Sequence, residues 1–154
     1  MPLLISMSLK RFIQAQDDGQ PSYSEALGEL CAGSKRSHWI WYVLPQLRGL
    51  GSSPMAQRYG IDGLREAHAY LAHPVLGARL LQTLSIIEEQ LQLPAQSLEK
   101  LMGSGIDAQK MVSCLTLFEA AGLVEAKAPL DLLQSQGWPR CAKTLLYLAV
   151  DPAR

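Results

Sequence analysis

Leu76, Leu80, Leu84, Ile87 and Leu91 return every three or four residues, so a helix of 3.6 residues per turn puts them all on one face. A strand, in which alternate residues share a face, cannot use that spacing, and the same rhythm recurs along most of the chain. Leu9, Phe12, Ile13 and Gln16 form a first short helix broken by Asp17-Asp18-Gly19. Ser22 and Glu25 make a capping box ahead of Tyr23, Ala26, Leu27 and Leu30, and Gly33 stands where a helix end wants a left-handed residue. Ser53-Pro54 opens a helix through Tyr59, and Asp62 is placed to cap the next, through Leu64, Ala67 and Leu71. His73-Pro74 then restarts the chain into the long leucine helix, which is expected to be central.

Residues 94–102 fit a short helix ended by Gly103, and Asp107 is placed to cap a longer one carrying Met111, Val112, Leu115 and Phe118 before Gly122. Residues 129–136, closed by Gly137, and 142–149 supply the last two. Nothing alternates apolar and polar residues with the period of two expected of a half-buried strand. The aromatic and β-branched run HWIWYVLPQL would also suit a buried strand. A helix ending before Leu44 is expected there, because the residue preceding Pro45 avoids the α region. The fold class is therefore all-α: one compact domain, residues 1–154, of about eight short to medium helices around one long central helix. Trp39 or Trp41, Leu80, Leu84, Leu115 and Phe118 are expected to share its core.

A chain of 154 residues can bury such a core without a metal or disulfide staple. Lys plus Arg is 14 and Asp plus Glu is 14, so no global field draws the protein to nucleic acid or an anionic membrane, and any anion site must be local. Cys31, Cys114 and Cys141 are odd in number and far apart, without Cys-x-x-Cys or Cys/His ligand spacing. They are expected to be reduced core thiols of a cytoplasmic protein, and neither a metal nor a cofactor is expected. The opening MPLLISMSLK lacks the basic start and cleavage site of a signal peptide. Every leucine-rich stretch is interrupted by polar residues before the roughly 18 apolar positions of a membrane span, so a soluble chain is expected.

The chemistry-bearing residues concentrate in GSKRSHWIWYVLPQLRGLG, residues 33–51. Lys35 and Arg36 precede a turn into a helix, where free N–H groups and the positive end of the macrodipole favour anions, and Ser37 is placed to cap that helix. His38, with an ordinary pKa of about 6.5, is the candidate catalytic group. Trp39 or Trp41 would supply an aromatic wall. Gln46 and the Gly49, Gly51, Ser52 turn add donors that approach a ligand closely where side chains are missing. Lys110, one helical turn from Ser113, would arrive from the later helix. The structural alternative is that the glycines mark turns, the tryptophans are core, His38 is a hydrogen-bonded structural histidine and the cations are solvated. The three histidines make no Ser-His-Asp order, and paired glutamates or a metal triad are equally absent.

Three blocks, GSKRSHWIWYVLPQLRGLGSSPMAQRYGI, AHAYLAHPVLGARL and LMGSGIDAQKMVSCLTLF, resemble in order and spacing the signatures of the bacterial domain-of-unknown-function family 1810, over about residues 12–118. The family is sometimes labelled calpastatin, yet no disordered inhibitor repeats are present. The resemblance implies a compact helical fold and an unassigned function. Where members carry an acidic residue between a Gly-rich turn and a Thr-Leu pair, QGWPRCAKTLLYL has Trp138, Pro139, Arg140 and Cys141, so the last helix is expected to pack differently.

Two functions from different classes remain open. In the first, a small enzyme or binding protein takes a phosphorylated or nucleotide-like metabolite, with Lys35, Arg36 and Lys110 toward the anion and His38 and Gln46 orienting it. In the second, the same stretch is a Trp/Tyr/Arg hot spot of a helical protein-interaction module that performs no reaction. A concave pocket favours the first and a flat aromatic patch the second.

Overall fold

Residues 111–118 are buried without interruption, which is possible only for a helix surrounded on every side. They belong to α8 (Gly105–Ala120), which packs against α3 (Ile40–Val43), α5 (Leu64–Ala72), α7 (Leu98–Met102), α9 (Lys127–Ser135) and α10 (Ala142–Val150). The computed structural model describes residues 3–151 and is all-α, with ten α-helices and one 3-10 turn, Val124–Ala126. The remaining helices are α1 (Leu3–Asp18), α2 (Tyr23–Cys31), α4 (Pro54–Tyr59) and α6 (Leu76–Leu91). The centre therefore belongs to α8, not to α6 as its leucine stripe led one to expect. In α6 the stripe Leu76, Leu80, Leu84, Ile87 and Leu91 is buried against α2 and α5, but Leu81 is 42% exposed. A one-sided stripe makes an outer helix, and apolar residues all round make an inner one.

Trp39, Leu80, Leu84, Leu115 and Phe118 share one continuous core, while Trp41 is only partly buried against it. Around Phe12 the rings of Tyr59 and Tyr70 pack at 6.1 and 5.2 Å, and Tyr70 continues to Phe118 at 5.1 Å, which ties α1, α4, α5 and α8 together. The buried Glu66 of α5 takes both its oxygens to Arg11 of α1 at 3.0 Å, so this cross-link carries its own charge compensation.

Ser22 and Ser53 cap α2 and α4 as their sequences require, accepting from Glu25 N–H and Ala56 N–H at 3.2 and 3.1 Å. Two starts differ. Helix α7 begins only after Ser97, which accepts from Lys100 N–H at 3.1 Å, so residues 94–97 are turn and cap. Ser104, not Asp107, caps α8, accepting from Asp107 N–H at 3.1 Å, which leaves the Asp107 carboxylate for another partner. The aromatic run forms the single turn α3, ending before Leu44-Pro45 as expected. Beyond it one isolated parallel bridge joins Leu47 to Ile61, and there is no strand among the described residues.

Candidate functional site

Residues 33–41 turn on Glu29, a residue outside the stretch. From the last turn of α2 its Oε1 accepts from Arg36 N–H at 2.7 Å, Ser37 N–H at 3.0 Å and the Trp39 indole N–H at 2.9 Å, and its Oε2 from the Ser37 hydroxyl at 2.5 Å. Partial burial opposes its charge, but those donors outweigh it and hold the carboxyl at about 2. Ser37 therefore caps no helix; the position before α3 is Trp39, which makes no side-chain cap. A signal for Glu29 did exist: an acid in the last turn of a helix opposes the macrodipole and is retained where nearby donors hold it.

Lys35 is 7% exposed. Its Nζ lies 2.7 Å from Asp107 Oδ2, donates to Ser37 C=O at 2.5 Å and sits 5.1 Å from the centre of the Trp39 ring. Its backbone N–H donates to Leu101 C=O at 2.7 Å, and its own C=O comes so close to Gly103 that a Cβ there would lie 2.7 Å from the oxygen. Gly103 also holds a φ of 84°, so glycine is required twice over. Lys35, Ser37 and Trp39 are thus spent on fastening the loop to α2, α7 and α8.

The other expected site residues part company. Arg36 is exposed on the loop. His38 is exposed at the edge of a shallow pocket of about 320 Å³ that also contains Arg11, Asp18 and Arg58. Gly49, at a φ of 103°, faces the Tyr147 ring, and Ser52 is exposed with its C=O accepting from the Gln57 amide at 3.2 Å. Gln46, Gly51 and Lys110 do come together, on the wall of a separate cleft of about 660 Å³. Its apolar lining is Leu50, Ile106, Pro139 and Ala142, and Arg140, Cys141 and Lys143 at the start of α10 line it as well.

Lys110 reaches this cleft over the Trp41 ring, 5.1 Å from its centre, with Asp107 Oδ1 at 4.0 Å. Arg140 is held by Glu119 at 2.7 and 2.8 Å and by Asp131 at 2.9 Å; the Glu119 bond is the main reason its guanidinium is driven further into its charged form. Cys141 stands in the capping position of α10, and its backbone N–H donates to Thr116 Oγ1 at 3.0 Å. Burial would raise its thiol, but donors from Ser113, Thr144 and the backbone N–H groups of Thr144 and Lys143 bring it below the ordinary range. Cys114, wholly buried without such donors, is pushed far up. Cys114 and Cys141 are buried as expected of core thiols, but Cys31 is exposed at the end of α2; all three are free. No group of three potential metal ligands occurs among the described residues.

The family model described as protein of unknown function, DUF1810, matches residues 6–134. The chain belongs to the DUF1810 family. It is similar to a conserved hypothetical protein, Rv1873 from Mycobacterium tuberculosis, whose crystal structure at 1.38 Å superposes with a TM-score of 0.80 at 43% identity, covering 92% of this chain and 96% of that one. No curated protein matches the chain. The DUF1810 match ends before Pro139 to Lys143, so the cleft joins one wall inside the family region to one outside it. No helix among the described residues is long and apolar enough to cross a membrane.

The cleft residues missed in the sequence are Arg140, Cys141 and Lys143. All three flank the start of a helix whose apolar run begins at Ala142, so their place around its first turn was legible. What they face was not, because the opposite wall comes from α8.

Proposed function

We propose that the protein binds a small phosphorylated or nucleotide-like anion in the cleft between α8, α10 and the Gln46–Gly51 turn. The observation that supports this is that Lys110 of α8 and Lys143 of α10, cations from two different helices, line one cleft together with apolar side chains. An anionic group would lie between the ammonium groups, with Gln46 and Ser113 as polar anchors and Leu50, Ile106 and Pro139 against a ring or base. Arg140 contributes less to the ligand, because two carboxylates already compensate it. His38 lies outside this cleft, so the reading is one of binding and assigns it no proton transfer.

A thermal-shift screen of nucleotides, NAD, ADP-ribose and sugar phosphates tests it. A ligand at 100 times its Kd stabilises the folded state by about 2.7 kcal/mol. The expected result is a rise in Tm that Lys110→Gln with Lys143→Gln abolishes; no shift with any anion, or an equal shift in the double variant, removes the reading. The helical interaction module keeps one supporting observation, the outer face of α10, where Leu145, Leu146 and Val150 are 45%, 59% and 75% exposed. Concentration-independent monomer mass, together with an anion-dependent Tm, would favour the cleft.

A further inference from the structure

The indole Nε1 of Trp41 is buried and has no hydrogen-bond partner among the described residues. An indole N–H only donates, and leaving one unmet away from water is costly. Trp39, two residues earlier, gives its indole N–H to Glu29 at 2.9 Å, so the same side chain is satisfied at one position and not at the other. Trp41 lines a recess of about 10 Å³, room for a single oxygen atom of the size of water's, together with Gln46, Lys110 and a mainly apolar remainder that includes Ile40, Leu44 and Met55. The Gly60 carbonyl at this recess is taken by Arg11 at 2.9 Å. Lys110 also brings only donors, with its Nζ 5.1 Å from the centre of the Trp41 ring. The nearest carboxylate, Asp107, lies 4.0 Å from that Nζ and is engaged more closely by Lys35 at 2.7 Å. Gln46 and Lys110 line the large cleft as well, so the recess adjoins it at these two long side chains.

We propose that Trp41 is a ligand-binding residue of the cleft, whose indole N–H receives one oxygen of a phosphate monoester. The oxygen enters the recess as the ends of Gln46 and Lys110 swing aside, and donors without an uncommitted carboxylate among them select an oxygen that carries negative charge and no proton. A phosphate monoester, being tetrahedral, keeps two further oxygens outside the recess for the ammonium groups of Lys110 and Lys143, whereas a carboxylate keeps one. The organic part of the ligand lies along Leu50, Ile106 and Pro139. This inference rests on the anion-binding reading above and adds to it the end of the cleft at which the phosphate sits, the residue that reads it, and the choice of phosphate over carboxylate.

The test titrates isotopically labelled native protein with phenyl phosphate and with benzoate and follows the indole N–H signals by NMR. The Trp41 signal, identified by its loss in Trp41→Phe, is expected to move with phenyl phosphate, while that of Trp39, held by Glu29, stays in place. Benzoate is expected to leave the Trp41 signal nearly where it was, and an equal movement overturns the choice of phosphate. Trp41→Phe keeps an aromatic ring beneath Lys110 and removes the N–H, so it should bind phenyl phosphate about tenfold more weakly, as expected for one lost hydrogen bond to a charged acceptor. Should that variant fail to fold, the signal in the native protein still decides. An unmoved Trp41 signal, or unchanged affinity in Trp41→Phe, overturns the proposal and gives the indole N–H to a permanent internal water. The anion-binding reading survives that result if nucleotides still raise the Tm through Lys110 and Lys143. If neither phenyl phosphate nor any nucleotide or sugar phosphate raises the Tm, both fall together.

Discussion

Two lysines approach different oxygens of the same carboxylate, and each lies over a tryptophan. Lys35 Nζ is 2.7 Å from one oxygen of Asp107 and Lys110 Nζ is 4.0 Å from the other, and each is 5.1 Å from the centre of its ring, Trp39 or Trp41. Their side chains are nonetheless 5% and 26% exposed. Lys35 is enclosed by the loop that Glu29 organises, so its charge is spent inside the molecule. Lys110 rests at a longer distance from Asp107 and opens onto the cleft, so its charge remains available. Residue type and local company are the same at the two sites; what separates structure from candidate function is whether the cation has been desolvated and paired.

Removing Lys35 should therefore break the first region outright. Lys35→Met leaves Asp107 without its close partner, and a loss of about 3 kcal/mol is expected from the urea midpoint at unchanged m. A loss below about 1 kcal/mol would put Lys35 in the same class as Lys110. Glu29 sharpens the same point through pH. Its carboxyl, held at about 2 against an ordinary 4.5, contributes stability that is complete above the ordinary value and is lost as pH falls through the folded one. The native protein should accordingly lose about 2–3 kcal/mol more than Glu29→Gln between pH 4.5 and pH 2. Parallel acid-denaturation curves for the two proteins would show that Glu29 does not anchor the loop.

On the open side the effects on stability shrink and those on binding appear. Lys110→Ala should change the folding free energy by less than about 1 kcal/mol, because its ion pair is long and partly solvated, yet it should remove most of an anion-induced rise in Tm. The reverse pattern, an unfolded variant or an undiminished anion response, would erase the contrast between the two lysines. Arg36→Ala is the smallest change expected, within about 0.5 kcal/mol and with the anion response intact, since its side chain is exposed and it does not line the cleft. Loss of anion binding in this variant would return the site to the loop.

Much of the fold was legible because it is written locally. Ser22, Ser53, Gly33 and Pro45 act within a turn or two of their own positions, and each did what its chemistry requires. Asp107 shows where local reading stops. It has the residue type of a cap and lies near a helix start, but Ser104 three positions earlier takes that task and frees the carboxylate for Lys35. The site was legible only in pieces: Gln46, Gly51 and Lys110 meet in one cleft, while Lys35, Ser37 and Trp39 close on Glu29 and Asp107, and His38 faces another pocket.

The amino-acid order alone determined that this chain is helical, where most helices stop, and that no strand carries its core, because periodicity, caps and left-handed glycines operate between neighbours in sequence. Which helix lies at the centre, which lysine is buried and which cysteine meets the cleft were decided only in three dimensions. Each depends on surfaces from distant segments closing over a group or leaving it in water, and desolvation has no counterpart in the spacing of residues along a chain.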